Sequence, residues 1–372
     1  MQLTARETDL KNELLSRRDC VLLSAMAGES LTPADMAILT DGMDVDTESS
    51  VYMLLLGVIG YRRGFAGMAE DAVPRLQGLH RFYQARDAAG TPWLCGQIAT
   101  LREAGIPAMF TGEIAMRAAY APNVPRVMFG YDITVPSGDY DRAAELLRDA
   151  VRAAVDSDNP KKRTVRGHTV IRLHKGVPDS ELWTEQDLWQ NAAEVMFHGE
   201  KVLVCSPTDM LFDLLTGRRE RGIFTEEREA RNRRFCECLL LSENAKPDWQ
   251  LIAKKAAACG CANYCRFLLR MLSDNAPSHF PQSEWNDAFP GGREYDEFTD
   301  NLFAFGRKQR DRAAKRSRSL IGAFRLAKAE YRMREPELAK AGKSESFSAY
   351  VRRTRKISGV GDVIRKMRKT EG

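Results

Sequence analysis

A chain of 372 residues is too long for one minimal domain and suits two or three packed units. Its 44% hydrophobic content is ordinary for a globular protein and sets wholesale disorder aside. The net charge of +5 hides an asymmetry: residues 307–372 carry 21 Lys/Arg against 7 Asp/Glu, a net of +14, which leaves the preceding 306 residues at −9. The first residues carry acids where a signal peptide would carry an apolar run. The longest apolar run, Val51–Tyr61, is about half of the roughly 20 residues a spanning helix needs. A cytoplasmic protein with no membrane span is therefore expected. Eight cysteines in such a chain read as free thiols.

Residues 1–104 read as an N-terminal helical region. Thr8–Met26 has a helical period with apolar positions at Leu10, Leu14, Leu15 and Leu22. Thr32 caps the next helix and Pro33 takes its first position. Thr47–Tyr61 and a long segment, Val73–Ala104, follow; Gly90 and Pro92 are expected to interrupt the latter near Ala88–Pro92.

From residue 105 to 206 strands alternate with helices, the signature of a mixed α/β core. Ile106–Thr111 is a short buried strand, Gly112–Ala121 a helix, and Arg126–Pro136 a strand. Ser137-Gly138-Asp139 turns into a helix over Tyr140–Val155. Thr164–His174 and Lys201–Cys205 are two more strands; Glu185–Val195 between them is a short helix or irregular. Helices return over 207–292: Ser206 caps and Pro207 opens one through Leu215, and Glu226–Leu241, Asp248–Cys259 and Ala262–Ser273 complete a bundle. Asn275–Gly292, rich in Pro, Gly and Ser, reads as a boundary. The basic extension, 293–372, is helical over Leu320–Arg334 and loose elsewhere.

The chemistry concentrates in Pro107–Val135: strand, glycine turn, helix, then a second strand carrying an acid. A helix that opens on a glycine turn offers free backbone N–H groups to phosphates. Acids at i and i+2 of a strand share a face and can hold two metal ions for phosphoryl chemistry. Here that strand carries one carboxylate, Asp132.

Thr111-Gly112-Glu113-Ile114-Ala115, Gly130-Tyr131-Asp132-Ile133-Thr134-Val135-Pro136 and Asp139-Tyr140-Asp141-Arg142-Ala143 resemble successive segments of a bacterial nucleotidyltransferase-like family with a helical N-terminal region. Leu173-His174, Asp187-Leu188-Trp189, Val202–Leu211 with its Ser-Pro-Thr-Asp turn, and Asp248-Trp249 extend the resemblance over roughly residues 15–285. It implies an α+β fold, a small mixed sheet flanked by helical regions. It also implies transfer of a nucleotidyl group from an NTP to an unknown acceptor. Asp132 would be the catalytic residue and hold Mg2+. Thr111, Gly112, Glu113 and Arg172 would line the phosphates. The departures are equally specific: Gly130 stands where the family has the first strand acid, Arg172 where it has a third acid, and Thr111 where it has a lysine before the glycine. An arginine at that third position could pair with Asp132 directly and would repel Mg2+. Glu113 is either a substitute ligand or an acid favoured by the helix dipole. Two function classes follow, an active transferase and an inactive scaffold or nucleotide-binding protein.

Against these stand plainer readings. Asp132 alone is an ordinary strand-end acid, Gly112 a turn glycine, and His168 and His174 hydrogen-bonded scaffold. Cys236-x-Cys238 and Cys259-x-Cys261-x3-Cys265 depart from zinc-knuckle spacing and sit in helical sequence, so they read as packing residues. The Lys/Arg runs of 307–372, interleaved with Phe324, Tyr331, Phe347 and Tyr350, suit RNA, but no base-reading module is recognisable, which favours a solvated tail that docks on the acidic body or on an acidic partner.

Overall fold

The structure, a computed structural model, describes residues 2–44, 46, 48–121, 124–128, 130–150, 162–166, 170–177, 184–216, 223–224 and 226–314, with isolated positions at 331, 346, 347 and 349. In chain order the elements are α1 (Ala5–Leu14), α2 (Arg17–Met26), α3 (Pro33–Thr40), α4 (Ser50–Arg63), α5 (Val73–Glu103), β1 (Met109–Thr111), α6 (Gly112–Ala119), β2 (Tyr131–Val135), α7 (Tyr140–Ala150), β3 (Lys162–Arg166), β4 (Val170–Lys175), α8 (Glu185–Gln190), β5 (Ala193–Phe197) and β6 (Glu200–Val204). The helices α9 (Pro207–Thr216), α10 (Arg228–Asn244), α11 (Trp249–Ala258), α12 (Ala262–Asn275), α13 (Gln282–Trp285) and α14 (Arg293–Ala314) follow. The fold is α+β, and no helix among the described residues is long and apolar enough to cross a membrane.

These elements form two compact units, each drawn from separated stretches of chain. One holds Arg17–Leu214 and Arg228–Asp248; the other holds Met1–Ser16, Leu215–Glu227 and Trp249–Gly372. They interleave the four compositional segments of the sequence.

The first unit carries a six-stranded mixed sheet in the order β3-β4-β2-β1-β6-β5. β2 runs antiparallel to β1 and parallel to β4, and β1 runs parallel to β6. Every residue of β2 is buried, with Ile133 and Val135 fully so. A strand covered on both faces needs no polar alternation, which is why it reads as an apolar run around one acid. β5 and β6 join through His198 and Gly199, both at positive φ (50° and 87°), the backbone of a tight hairpin turn. Helix α6 packs on β1 and β2, and α10 packs on α6, α2 and α4. α10 therefore brings side chains from a hundred residues downstream to the start of α6.

The second unit is helical among the described residues. Its core includes a buried charge cluster. The Tyr295 hydroxyl donates to Glu7 Oε1 at 2.6 Å, Arg270 Nη2 donates to Glu7 Oε2 at 2.8 Å, and Arg270 Nε bonds the same carboxylate. Burial raises the Glu7 carboxyl, but these bonds more than offset it and hold the group below its usual range.

Several expectations are corrected. Thr8–Met26 is two helices, because the chain turns extended at Leu15 (φ −120°, ψ 122°). Val73–Glu103 is one continuous helix with Pro92 inside it. Proline there removes a single N–H bond, and the Thr91 hydroxyl donates to the Asp87 carbonyl at 2.6 Å. The strand over Arg126–Pro136 shrinks to Tyr131–Val135; Pro125 lacks an N–H, and Arg126 points to an ion-pair partner. Thr164–His174 falls in two antiparallel strands, β3 and β4. Glu185–Val195 holds the short helix α8 through Gln190, and its last three residues begin strand β5. Asn275–Gly292 is no loose boundary. It contains α13 and buries Phe280, Trp285 and Phe289, and the Trp285 indole donates to Ser273 Oγ at 3.1 Å. Helix α14 carries order to Ala314 inside the basic segment, whereas most of Leu320–Arg334, and the part of Tyr140–Val155 beyond Ala150, lie outside the described residues.

Candidate functional site

Strand pairing brings Thr111, Asp132, Thr134, Arg172 and His174 to one face of the sheet. Thr111 lies opposite Asp132 across β1–β2, Asp132 opposite Arg172 and Thr134 opposite His174 across β2–β4. A period of two along each strand puts positions 132 and 134, and 172 and 174, on a common side. Gly130 precedes β2 in that same phase and contributes no side chain.

Arg172 grips Asp132 with both arms of its guanidinium. Nε donates to Oδ1 at 2.8 Å and Nη2 to Oδ2 at 2.5 Å. His174 Nε2 lies 2.7 Å from Oδ1. Burial pushes the Asp132 carboxyl upward, but the bonds to His174 and Arg172 outweigh it and hold the group below its usual value. The bond to Asp132 in turn raises the already high Arg172 value.

The turn from β1 into α6 is built against this carboxylate. Gly112 has φ +56°, a conformation L side chains rarely adopt. A Cβ there would stand 3.0 Å from Asp132 Oδ2 and 3.2 Å from its Cγ. Both the backbone angle and the close approach therefore demand glycine. Thr111 is fully buried, and its hydroxyl lies 3.0 Å from that of Thr134, so the side chain is sealed under the site.

Glu113, in the first turn of α6, faces three guanidiniums. Its Oε1 lies 3.2 Å from Arg126 Nη1 and 3.8 Å from Arg233 Nη1, and its Oε2 lies 3.7 Å from Arg172 Nη2. Arg126 is paired again, with Nη2 2.6 Å and Nε 2.9 Å from Glu237 Oε1, and Arg233 Nε lies 3.9 Å from the same oxygen. The three acids and three arginines are balanced in charge. Burial works against the Arg126 cation, but Glu237 above all, with Glu113, holds its value above the ordinary range. The Arg126 and Glu237 side chains are 8% exposed each, against 22% for Arg172 and 25% for Arg233. Of these three arginines, Arg172 and Arg233 present the network to solvent.

A divalent ion for nucleotidyl transfer needs carboxylate oxygens free to coordinate it. This donor set does not fit one. Both Asp132 oxygens are engaged by Arg172, Gly130 supplies none, and the Glu113 carboxylate lies among guanidiniums. Among the described residues no group of three or more His, Cys, Asp or Glu could hold a metal ion. The cysteines are free thiols; Cys236 and Cys238 are buried in α10, whereas Cys259 and Cys261 flank the turn between α11 and α12 instead of sitting within a helix.

The structure thus gathers Gly112, Glu113, Asp132 and Arg172, with Thr111 beneath them. His168 lies outside the described residues. Sequence reasoning missed Arg126, Arg233 and Glu237, and it treated His174 only as scaffold. A signal was present for two of them. Arg126 is a lone cation in the apolar run Val124–Met128, and Glu237 a lone acid between two cysteines in Phe235–Leu241. A charge inside an apolar run is tolerated when a partner is buried with it.

A search of curated proteins and one of solved structures found no match. The family described as an uncharacterised nucleotidyltransferase matches residues 64–276, which include the entire sheet and the ion-pair network around Asp132. With more than half of its length matched, and a mixed sheet ordered around a glycine turn and an acidic strand, the chain belongs to this nucleotidyltransferase family.

Proposed function

We propose that this chain is a nucleotidyltransferase-fold protein that binds the phosphates of a nucleotide without transferring the nucleotidyl group. One observation carries the reading: the bidentate hold of Arg172 on Asp132, reinforced by His174. In an active site of this kind the strand carboxylate coordinates Mg2+, and that ion stabilises the attacking and leaving oxygens. Here a guanidinium already neutralises the carboxylate, and a cation entering beside it would meet Arg172, Arg126 and Arg233. Phosphate binding is favoured by the partly exposed Arg172 and Arg233 beside the first turn of α6, where backbone N–H groups point outward.

Transfer from an NTP to an acceptor would require Asp132 to be released from Arg172. The test is to incubate the protein with ATP, CTP, GTP and UTP, measuring pyrophosphate release with Mg2+ or Mn2+ present and nucleotide binding in EDTA. Binding without release supports the reading. Release that disappears in Asp132→Ala contradicts it and restores the active transferase. The net charge of +14 on residues 307–372 supports a separate reading, that this segment engages a polyanion such as RNA or an acidic protein. Binding to RNA that weakens steeply with salt is the expected signature.

A further inference from the structure

The Glu113 carboxylate is surrounded as a bound oxyanion would be. It stands in the first turn of α6, 3.2 Å from Arg126, 3.7 Å from Arg172 and 3.8 Å from Arg233. The other acids of the network are committed elsewhere, Asp132 to Arg172 and His174, and Glu237 to Arg126. With Glu113 removed, three guanidiniums would share two carboxylates. A unit of positive charge would be left at a helix N-terminus, in a space already shaped around an oxyanion.

We infer that the guanidiniums of Arg126, Arg172 and Arg233 form a phosphate-binding site, and that Glu113 occupies it as a built-in competitor which a phosphate-bearing ligand displaces. This deepens the nucleotide-binding reading and rests on it for the identity of the ligand. Displacement is geometrically accessible. Arg172 and Arg233 reach solvent, they pair with Glu113 at the looser separations of 3.7 and 3.8 Å, and Glu113 is itself 19% exposed. Arg126 stays anchored from behind by Glu237 at 2.6 Å and forms the fixed wall. The ligand carries its phosphates without a metal ion, because a magnesium-bound phosphate would bring a further cation against three guanidiniums. The wild type should therefore bind such a ligand more weakly than a variant in which Glu113 is neutralised.

The test uses the full-length protein and isothermal titration calorimetry in EDTA-containing, low-salt buffer, with inorganic pyrophosphate and ATP as probes. Glu113→Gln is expected to bind pyrophosphate at least tenfold more tightly than the wild type. Adding Arg233→Ala to Glu113→Gln is expected to abolish the gain. Equal or weaker pyrophosphate binding by Glu113→Gln overturns the inference. Thermal melts establish that each variant is folded. Should Glu113→Gln fail to fold, Arg233→Ala in the wild-type background carries the test: it must weaken pyrophosphate binding, and unchanged binding overturns the proposal. The two readings fail separately. A pyrophosphate gain with no binding of ATP upholds the Glu113 competitor and removes the nucleotide ligand. ATP binding to the wild type with no pyrophosphate gain in Glu113→Gln upholds the nucleotide and removes the competitor.

Discussion

Arg172 lies across Asp132, Nε on Oδ1 at 2.8 Å and Nη2 on Oδ2 at 2.5 Å, so the acid of the central strand β2 is neutralised by its neighbour on β4. The pairing follows from register, since the two residues are direct partners in parallel strands. Parallel pairing of an acid and a base on a buried sheet face stabilises both charges and removes the carboxylate from other use.

Breaking the pair should be costly. Asp132→Ala leaves the Arg172 guanidinium and His174 without their shared acceptor in a site where the acid is buried. The expected loss is about 3 kcal/mol of unfolding free energy, measured by urea denaturation. A loss below about 1 kcal/mol would mean that Arg172 is satisfied by Glu113 alone.

The same pair fixes a pH dependence. The Asp132 carboxyl is held below its ordinary value of 3.8 in the folded protein. A depressed folded value gives stability that is complete above the unfolded value and lost as pH falls through the folded one. The stability gap between wild type and Asp132→Asn should therefore stay constant through neutral and mildly acidic pH. It should shrink in strongly acidic solution, below about pH 4. Urea titrations at stepped pH read it; a gap that does not shrink in strongly acidic solution contradicts the ion pair.

Gly112→Ala tests the closeness of the turn to the acid. The new Cβ meets φ +56° and an oxygen 3.0 Å away. A cost of about 2 kcal/mol is expected from the left-handed backbone and the crowding together. In an Asp132→Ala background the crowding part should vanish, so the two substitutions should sum to less than their separate costs.

Arg126 and Glu237 form the buried end of the network. Glu237→Ala should destabilise by about 3 to 5 kcal/mol, because it strips a buried arginine of its nearest acid. Replacing both at once, Arg126→Met with Glu237→Leu, should cost much less, since neither charge is then left alone. Thermal denaturation of the two variants and the wild type makes the comparison.

Much of this was legible in the chain. The glycine turn between β1 and α6 and the acidic strand after it were visible, because a short apolar run, a glycine and a helical period are local signals. The Arg172–Asp132 contact was foreseeable once both residues were assigned to strands of one sheet. Strand β5 was not legible: Ala193, Glu194, Val195 and Met196 are all at least partly exposed, so the apolar contrast that marks a strand is weak there. The continuity of α5 through Pro92 was hidden for the opposite reason, a strong local breaker overridden by tertiary packing. Arg233 and Glu237 reach the site only through α10 packing on α6, a contact between positions more than a hundred residues apart that periodicity cannot encode.

The most direct test of the central claim is titration of the full-length protein with Mn2+, followed by electron paramagnetic resonance. If Asp132 belongs to Arg172, the free Mn2+ signal should rise with added metal as it does in buffer, and Asp132→Ala should behave identically. Stoichiometric loss of that signal in the wild type, abolished by Asp132→Ala, would contradict the account.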